Sequence, residues 1–120
     1  MDRTFLFIGA LLGGCGVALG AFGAHGLRDR LAPEMLAVFE TGVRYHMYHA
    51  LALLALSAAM PRYEGRLPVV AGWCFTVGIL IFSGSLYALA MSGVRVLGAI
   101  TPIGGVLFLI GWACLARLAF

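Results

Sequence analysis

Four stretches without a formal charge dominate the sequence. They run over 4–27, 45–61, 67–94 and 96–116, and the segments between and beside them carry every charged residue. A helix needs about 20 mostly apolar residues to cross the hydrocarbon core of a bilayer. Three of the stretches reach that length, and the second falls slightly short. Lipid offers no partner to a backbone N–H or C=O, so each stretch is expected to be a helix. Together they use almost all of the 120 residues and leave nothing for a soluble domain. The predicted class is an all-α integral membrane protein. It reads as a four-transmembrane-helix antiparallel bundle, one membrane domain over 1–120, with spans near 4–27, 44–61, 67–92 and 96–117.

Composition agrees. Hydrophobic residues make up 62% and charged residues 11% of the chain, and mean hydropathy is +1.03. A soluble enzyme, a disordered tail and a disulfide-stapled secreted peptide are excluded, since ordinary soluble domains carry about a quarter charged residues. The net charge of +3 does not point to nucleic acid, because the 8 basic residues are all arginine and thinly spread.

The second span has a helical lead-in. Pro33 suits a first helical turn, and Glu34 lies at the favourable positive end. Leu31, Met35, Val38, Phe39 and Gly42 follow helical spacing, and Glu40 is four residues before Arg44. The segment 33–43 reads as a short interfacial amphipathic helix bending at Gly42. One long tilted helix from Pro33 to Met60 is the alternative. The links 62–66 and 92–95 are short, which makes sequential helices antiparallel neighbours.

Orientation is weakly encoded. Arg3, Arg62, Arg66 and Arg117 share the side of the termini, and Arg28, Arg30, Arg44 and Arg95 the other. Counting Arg44 as part of a helix leans toward cytoplasmic termini. Leu12-Gly13-Gly14-Cys15 resembles a lipoprotein cleavage box, yet the apolar stretch is long for a signal peptide and no polar domain follows. An uncleaved first span is expected. Cys15, Cys74 and Cys114 show no metal-ligand spacing and read as small buried hydrophobes.

Gly9, Gly13, Gly16, Gly20 and Gly23 repeat at four, three, four and three residues. Such a glycine zipper lets a neighbouring helix approach closely, within the monomer or across a dimer. Gly98, Gly105 and Trp112, and Gly104 and Gly111, suggest a similar face on the fourth span. Pro102 predicts a kink or local opening there.

The polar residues gather by depth. Span one brings His25 to the side of the first loop. Span two starts there with Arg44, Tyr45, His46, Tyr48 and His49. Span three ends there with Ser83, Ser85 and Tyr87, and span four supplies Thr101. The opposite half holds little beyond Ser57, Thr76, Trp73 and Trp112. Ionisable groups inside membranes are costly and face a bundle interior or a wet cavity. The expectation is a one-sided polar pocket or hydrogen-bonded plug. Its candidate lining is His25, Arg44, Tyr45, Tyr48, His49, Ser83, Ser85, Tyr87 and Thr101. The competing reading is a satisfied network that fixes helix register.

Metal is disfavoured: His46-x-x-His49 with His25 lacks the fourth, usually cysteine, ligand of a structural zinc site. Two histidines on one helix face cannot clamp a haem iron from opposite sides. No span contains Asp, Glu or Lys, so no paired carboxylates, Schiff-base lysine or acidic proton carrier is available. No cofactor and no catalytic residue is predicted. Small multidrug antiporters are similar in size alone, since they rely on a glutamate in the first span.

Four segments carry a family resemblance. They are Gly20-Ala21-Phe22-Gly23-Ala24-His25-Gly26-Leu27, Thr41-Gly42-Val43-Arg44-Tyr45-His46-Met47-Tyr48-His49-Ala50-Leu51, Phe82-Ser83-Gly84-Ser85-Leu86-Tyr87, and Leu97-Gly98-Ala99-Ile100-Thr101-Pro102-Ile103-Gly104-Gly105. The chain resembles the small bacterial inner-membrane proteins of domain-of-unknown-function family 423, which are similar to a small eukaryotic mitochondrial membrane protein. The resemblance implies a four-span membrane protein and no established activity or ligand. It also implies a variable residue at position 46, and so a lesser role for His46 than for His25 and His49.

The leading functional expectation is a non-enzymatic membrane protein that binds a lipid-like or amphipathic small molecule in its polar pocket. The alternatives are an accessory subunit of a larger, respiratory membrane complex and a small oligomeric channel or transporter. The expected partners are membrane lipid, an amphipathic small molecule, and copies of the chain or a larger complex, with no nucleic acid.

Overall fold

A computed structural model describes residues 2–120, and every regular element among them is helical. α1 (Asp2–Ala21) runs into a π-helical turn, Phe22–Gly26. α2 is Pro33–Ala59, α3 Leu67–Ser92 and α4 Thr101–Arg117, with 3-10 turns at Met60–Arg62 and Arg95–Ala99. Three stretches, Arg3–Gly26, Leu67–Ser92 and Arg95–Arg117, are long and apolar enough to cross a membrane. The chain is thus an all-α membrane protein. α2 has 27 residues, about 40 Å at helical rise, but Arg44, His46, His49 and two tyrosines lower its hydropathy.

The helix ends follow from local chemistry. Pro33, Pro68 and Pro102 each sit in a first turn, where a missing N–H leaves no intrahelical bond unmade. α3 stops at Gly93, whose φ of 73° is left-handed and whose N–H reaches Leu89 O at 2.8 Å; glycine adopts this cap without strain.

Two expectations need correction. Pro102 does not kink a helix from within. α4 begins at Thr101, and the break is the change from 3-10 to α winding at Ile100, whose N–H bonds Leu97 O at 3.1 Å. The helix predicted over 33–43 is not a separate element either. It is the first part of α2, which continues through Gly42 as the alternative reading had it. The reason is packing: Gly42 is buried against Leu86 and the Tyr87 ring of α3, so the helix gains contact by running on.

α2 and α3 pair at the centre, with α1 against α2 and α4 against α3. The molecule measures 48 × 26 × 18 Å. α3 is half buried, whereas α1 and α4 leave most of their residues exposed. One device recurs in the packing: an aromatic ring enters the notch left by a glycine on a neighbouring helix. Phe5 fills the notch at Gly72, Phe39 that at Gly23, Tyr87 that at Gly42, Phe108 that at Gly78 and Phe75 that at Gly111. Phe5, Phe39, Phe75 and Phe108 are all buried as a result. Without a hydrophobic drive between helices in lipid, such close contact supplies much of the association.

The glycines of α1 and of the π-helical turn after it divide. Gly9, Gly16, Gly20 and Gly23 face α2, against Leu54, Met47, Val43 and Phe39. A methyl group at Gly13 or Gly14 would meet nothing within 4 Å.

Candidate functional site

Two histidines organise the polar interior, and they do so with opposite ring tautomers. His46 is buried. Its Nε2 lies 2.7 Å from Leu12 O of α1, and its Nδ1 lies 2.8 Å from the Tyr87 hydroxyl of α3. A carbonyl only accepts, so Nε2–H donates and Nδ1 of the neutral ring accepts from the phenol. One imidazole thereby ties α2 to helices on both sides.

His49, one turn deeper, is buried as well. Its Nδ1–H donates to Tyr45 O at 2.6 Å, and its Nε2 accepts from Trp112 Nε1–H of α4 at 3.0 Å. Its ring stacks flat on Phe108, with centroids 3.5 Å apart and planes within 3°.

The hydroxyls are satisfied in the same way. Ser83 donates to Gly42 O at 2.7 Å, which joins α3 to α2. Ser85 donates to Phe82 O at 2.8 Å and lies 2.5 Å from the Thr101 hydroxyl, which joins α3 to α4. Ser57 and Thr76 return to Leu54 O and Gly72 O of their own helices. Among the described residues no buried side-chain polar atom lacks a partner.

The nine residues predicted to line one polar pocket therefore separate into three groups. His49, Ser83, Ser85, Tyr87 and Thr101 belong to the internal network. His25 and Arg44 are exposed. The Glu40–Arg44 pair expected from spacing is absent; a surface pair instead joins Arg95 to Glu34 at 3.4 Å. Tyr45 and Tyr48, with His49, line a groove. Depth is corrected too, since Trp112, assigned from sequence to the far half, bonds His49, and His46 reaches the middle of α1. The network reaches from Thr101 at the start of α4 to Leu12 of α1 and Trp112 of α4.

The groove lies between α2 and α4 over α3 and encloses about 590 Å³. Tyr45, Tyr48, His49 and Leu51 form one wall, Gly105, Phe108, Leu109 and Trp112 the other, and Phe82 lies between. Ring contacts run continuously from Tyr45 to Phe82 (4.9 Å), Phe82 to Phe108 (5.3 Å), Phe108 to His49 (3.5 Å) and His49 to Trp112 (5.8 Å). Both nitrogens of His49 are engaged, so the groove presents ring faces and aliphatic carbon. Tyr45 and Tyr48 are the α2 lining residues that come first from the side of the first loop. Among the described residues no three His, Cys, Asp or Glu side chains are placed to hold a metal ion.

Sequence reasoning missed His46 as the best-anchored side chain and left out Phe82, Gly105, Phe108, Leu109 and Trp112. A signal existed for four of these: Gly105, Phe108, Leu109 and Trp112 recur at three- and four-residue spacing on one face of α4.

A family model described as "Protein of unknown function (DUF423)" matches residues 19–105, which include both histidines of the interior and most of the groove. The chain belongs to this family. Among its relatives, UPF0382 membrane protein YwdK of Bacillus subtilis is 47% identical over 111 residues, covering 92% of this chain and 90% of that protein. A UPF0382 membrane protein of Haemophilus influenzae is 48% identical over 122 aligned positions, covering 100% and 96%. One from Staphylococcus epidermidis is 48% identical over 113 residues, covering 94% and 92%. No solved structure matches the chain. With relatives named as bacterial membrane proteins and three helices of spanning length and apolarity, this DUF423 chain is an integral membrane protein.

Proposed function

We propose that this DUF423 protein is a non-enzymatic lipid-binding protein whose site is the aromatic groove between α2 and α4. The observation behind this reading is the groove itself: about 590 Å³ of preformed space, within the usual range of ligand sites, roughly 300–1,000 Å³. Its walls include Leu51 and Leu109, which are exposed side chains, so it opens sideways. In this reading α2 is the fourth span of an antiparallel four-helix bundle. The first turns of α2 lie in the interface, and the α1 glycines act as a zipper within the monomer. The membrane is the bacterial cytoplasmic one, with cytoplasmic termini. A sideways opening then faces acyl chains, and lipid or another amphipathic molecule is the natural occupant.

Native mass spectrometry of protein extracted in mild detergent tests the proposal. Retained lipid adducts are expected on the wild type and are expected to be lost in Gly105→Leu. A methyl group at Gly105 meets only the Phe82 ring, at 3.9 Å, so a larger side chain fills the groove without entering the core. Equal adducts on both proteins would refute the site.

A second reading has one observation in its favour. The outer face of α1 is exposed, and Gly13 and Gly14 are open to a close neighbour. This suits association with a further copy or with a larger, respiratory complex, and the same mass spectra would report it as a protein partner. A channel or transporter has less support, because the interior polar groups bond one another.

A further inference from the structure

The groove has a charge beside its mouth. Arg44 is four residues before Tyr48, so on α2 it lies one turn toward the first loop on the same face. Tyr48 and Tyr45 form that end of the groove. Arg44 is exposed and forms no ion pair among the described residues. An arginine within a span is costly unless its guanidinium reaches the interface or an anion. Here it belongs to α2, the helix that supplies Tyr45, Tyr48, His49 and Leu51 to the groove wall.

We propose that the occupant is an anionic phospholipid, with one acyl chain in the aromatic groove and its phosphate at Arg44. This deepens the lipid-binding reading and rests on it. The two parts of the site match the two parts of such a molecule in order along α2. The cation and the Tyr45 and Tyr48 phenols come first, from the first-loop side. His49 and Leu51 follow one turn deeper, opposite Phe108, Leu109 and Trp112 of α4. Guanidinium donors bind phosphate oxygens in a forked geometry that ammonium cannot copy. The deep part has no charged wall. None of the residues lining the groove is an arginine or a carboxylate, so the deep part suits a chain and not a headgroup.

The position of Trp112 makes the proposal measurable. The sequence has 2 tryptophans, and Trp73 lines a separate groove on α3 and α4 with Val69, Val70, Cys74, Val77 and Leu107. In a Trp73→Phe background, Trp112 reports on the α2–α4 groove alone. The protein is placed in phosphatidylcholine nanodiscs containing a small fraction of lipid with brominated chains, which quench nearby tryptophan. Brominated phosphatidylglycerol is expected to quench Trp112 with roughly five-fold higher apparent affinity than brominated phosphatidylcholine, the factor equivalent to one arginine near a lipid phosphate.

Arg44→Gln is expected to make the two lipids equal. Gly105→Leu is expected to remove saturable quenching by both. Leu109→Trp provides a second obstruction at an exposed wall position, read by native mass spectrometry and usable if Gly105→Leu fails to fold. Equal quenching by the two lipids in the Arg44 protein, with Gly105→Leu still blocking it, overturns the anionic headgroup and leaves the lipid groove. Quenching that never saturates or that ignores Gly105→Leu, or lipid adducts retained in the mass spectra of Leu109→Trp, overturns both.

Discussion

Gly104→Ala is the sharpest test of how the helices are held. At Gly104 a methyl carbon would fall against the Phe82 backbone nitrogen, 2.7 Å from its Cβ and 2.8 Å from its Cα. Backbone cannot rotate away as the end of a side chain can, so α4 must back off from α3 along their whole contact. Overpacking of this kind costs about 1–3 kcal/mol, and the rigidity of the obstacle favours the upper part of that range. Alanine recovers up to about 1 kcal/mol through its better helix propensity. The expected net loss is about 1–2 kcal/mol. Gly84→Ala is the internal control: the same methyl meets nothing within 4 Å, so only the propensity gain remains. The two variants should differ by about 2–3 kcal/mol in reversible unfolding by SDS titration in mixed micelles, followed by circular dichroism. Equal stability of Gly104→Ala and Gly84→Ala would refute the close-contact account.

Other perturbations follow from the polar interior and the surface. His46→Phe leaves the Tyr87 hydroxyl and the second lone pair of Leu12 O without their partner. Interhelical bonds in membranes average about 0.6 kcal/mol and reach about 1.7, so a loss of roughly 1–3 kcal/mol is expected in the same unfolding assay. Trp112→Phe removes the one donor to His49 Nε2 while keeping the ring, and should cost about 0.5–1.5 kcal/mol. Glu34→Gln breaks a pair whose side chains are 81% and 70% exposed and should change stability by less than about 1 kcal/mol.

Much of the architecture could be read from charge spacing alone. The arginines at 3, 28, 62, 66, 95 and 117 bracket α1, α3 and α4 because lipid tolerates no charge between them. α2 was harder, since the residues that build the interior also lower its hydropathy and gave its first turns the look of a separate helix. The polar groups were located correctly on their helices, but their partners were not legible. Which carbonyl a serine meets depends on helix rotation and register, and Ser83 finds Gly42 only because glycine brings α2 and α3 together. Trp112 reads as a far-half residue when depth is counted along one helix, because that count ignores the reach of its indole to His49. Phe82 and Phe108 gave no polar signal at all, and a groove between helices leaves no mark on hydropathy.

In the proposed reading the groove opens to hydrocarbon while the polar groups are consumed inside. Nitroxide labels at Leu51→Cys and Leu109→Cys, with Cys15, Cys74 and Cys114 replaced by alanine, read this directly by power-saturation spectroscopy in liposomes. High collision with oxygen and little with a water-soluble nickel complex is the predicted result at both positions. Ready access of the nickel complex to either label would mean that water fills the groove, and would contradict the account.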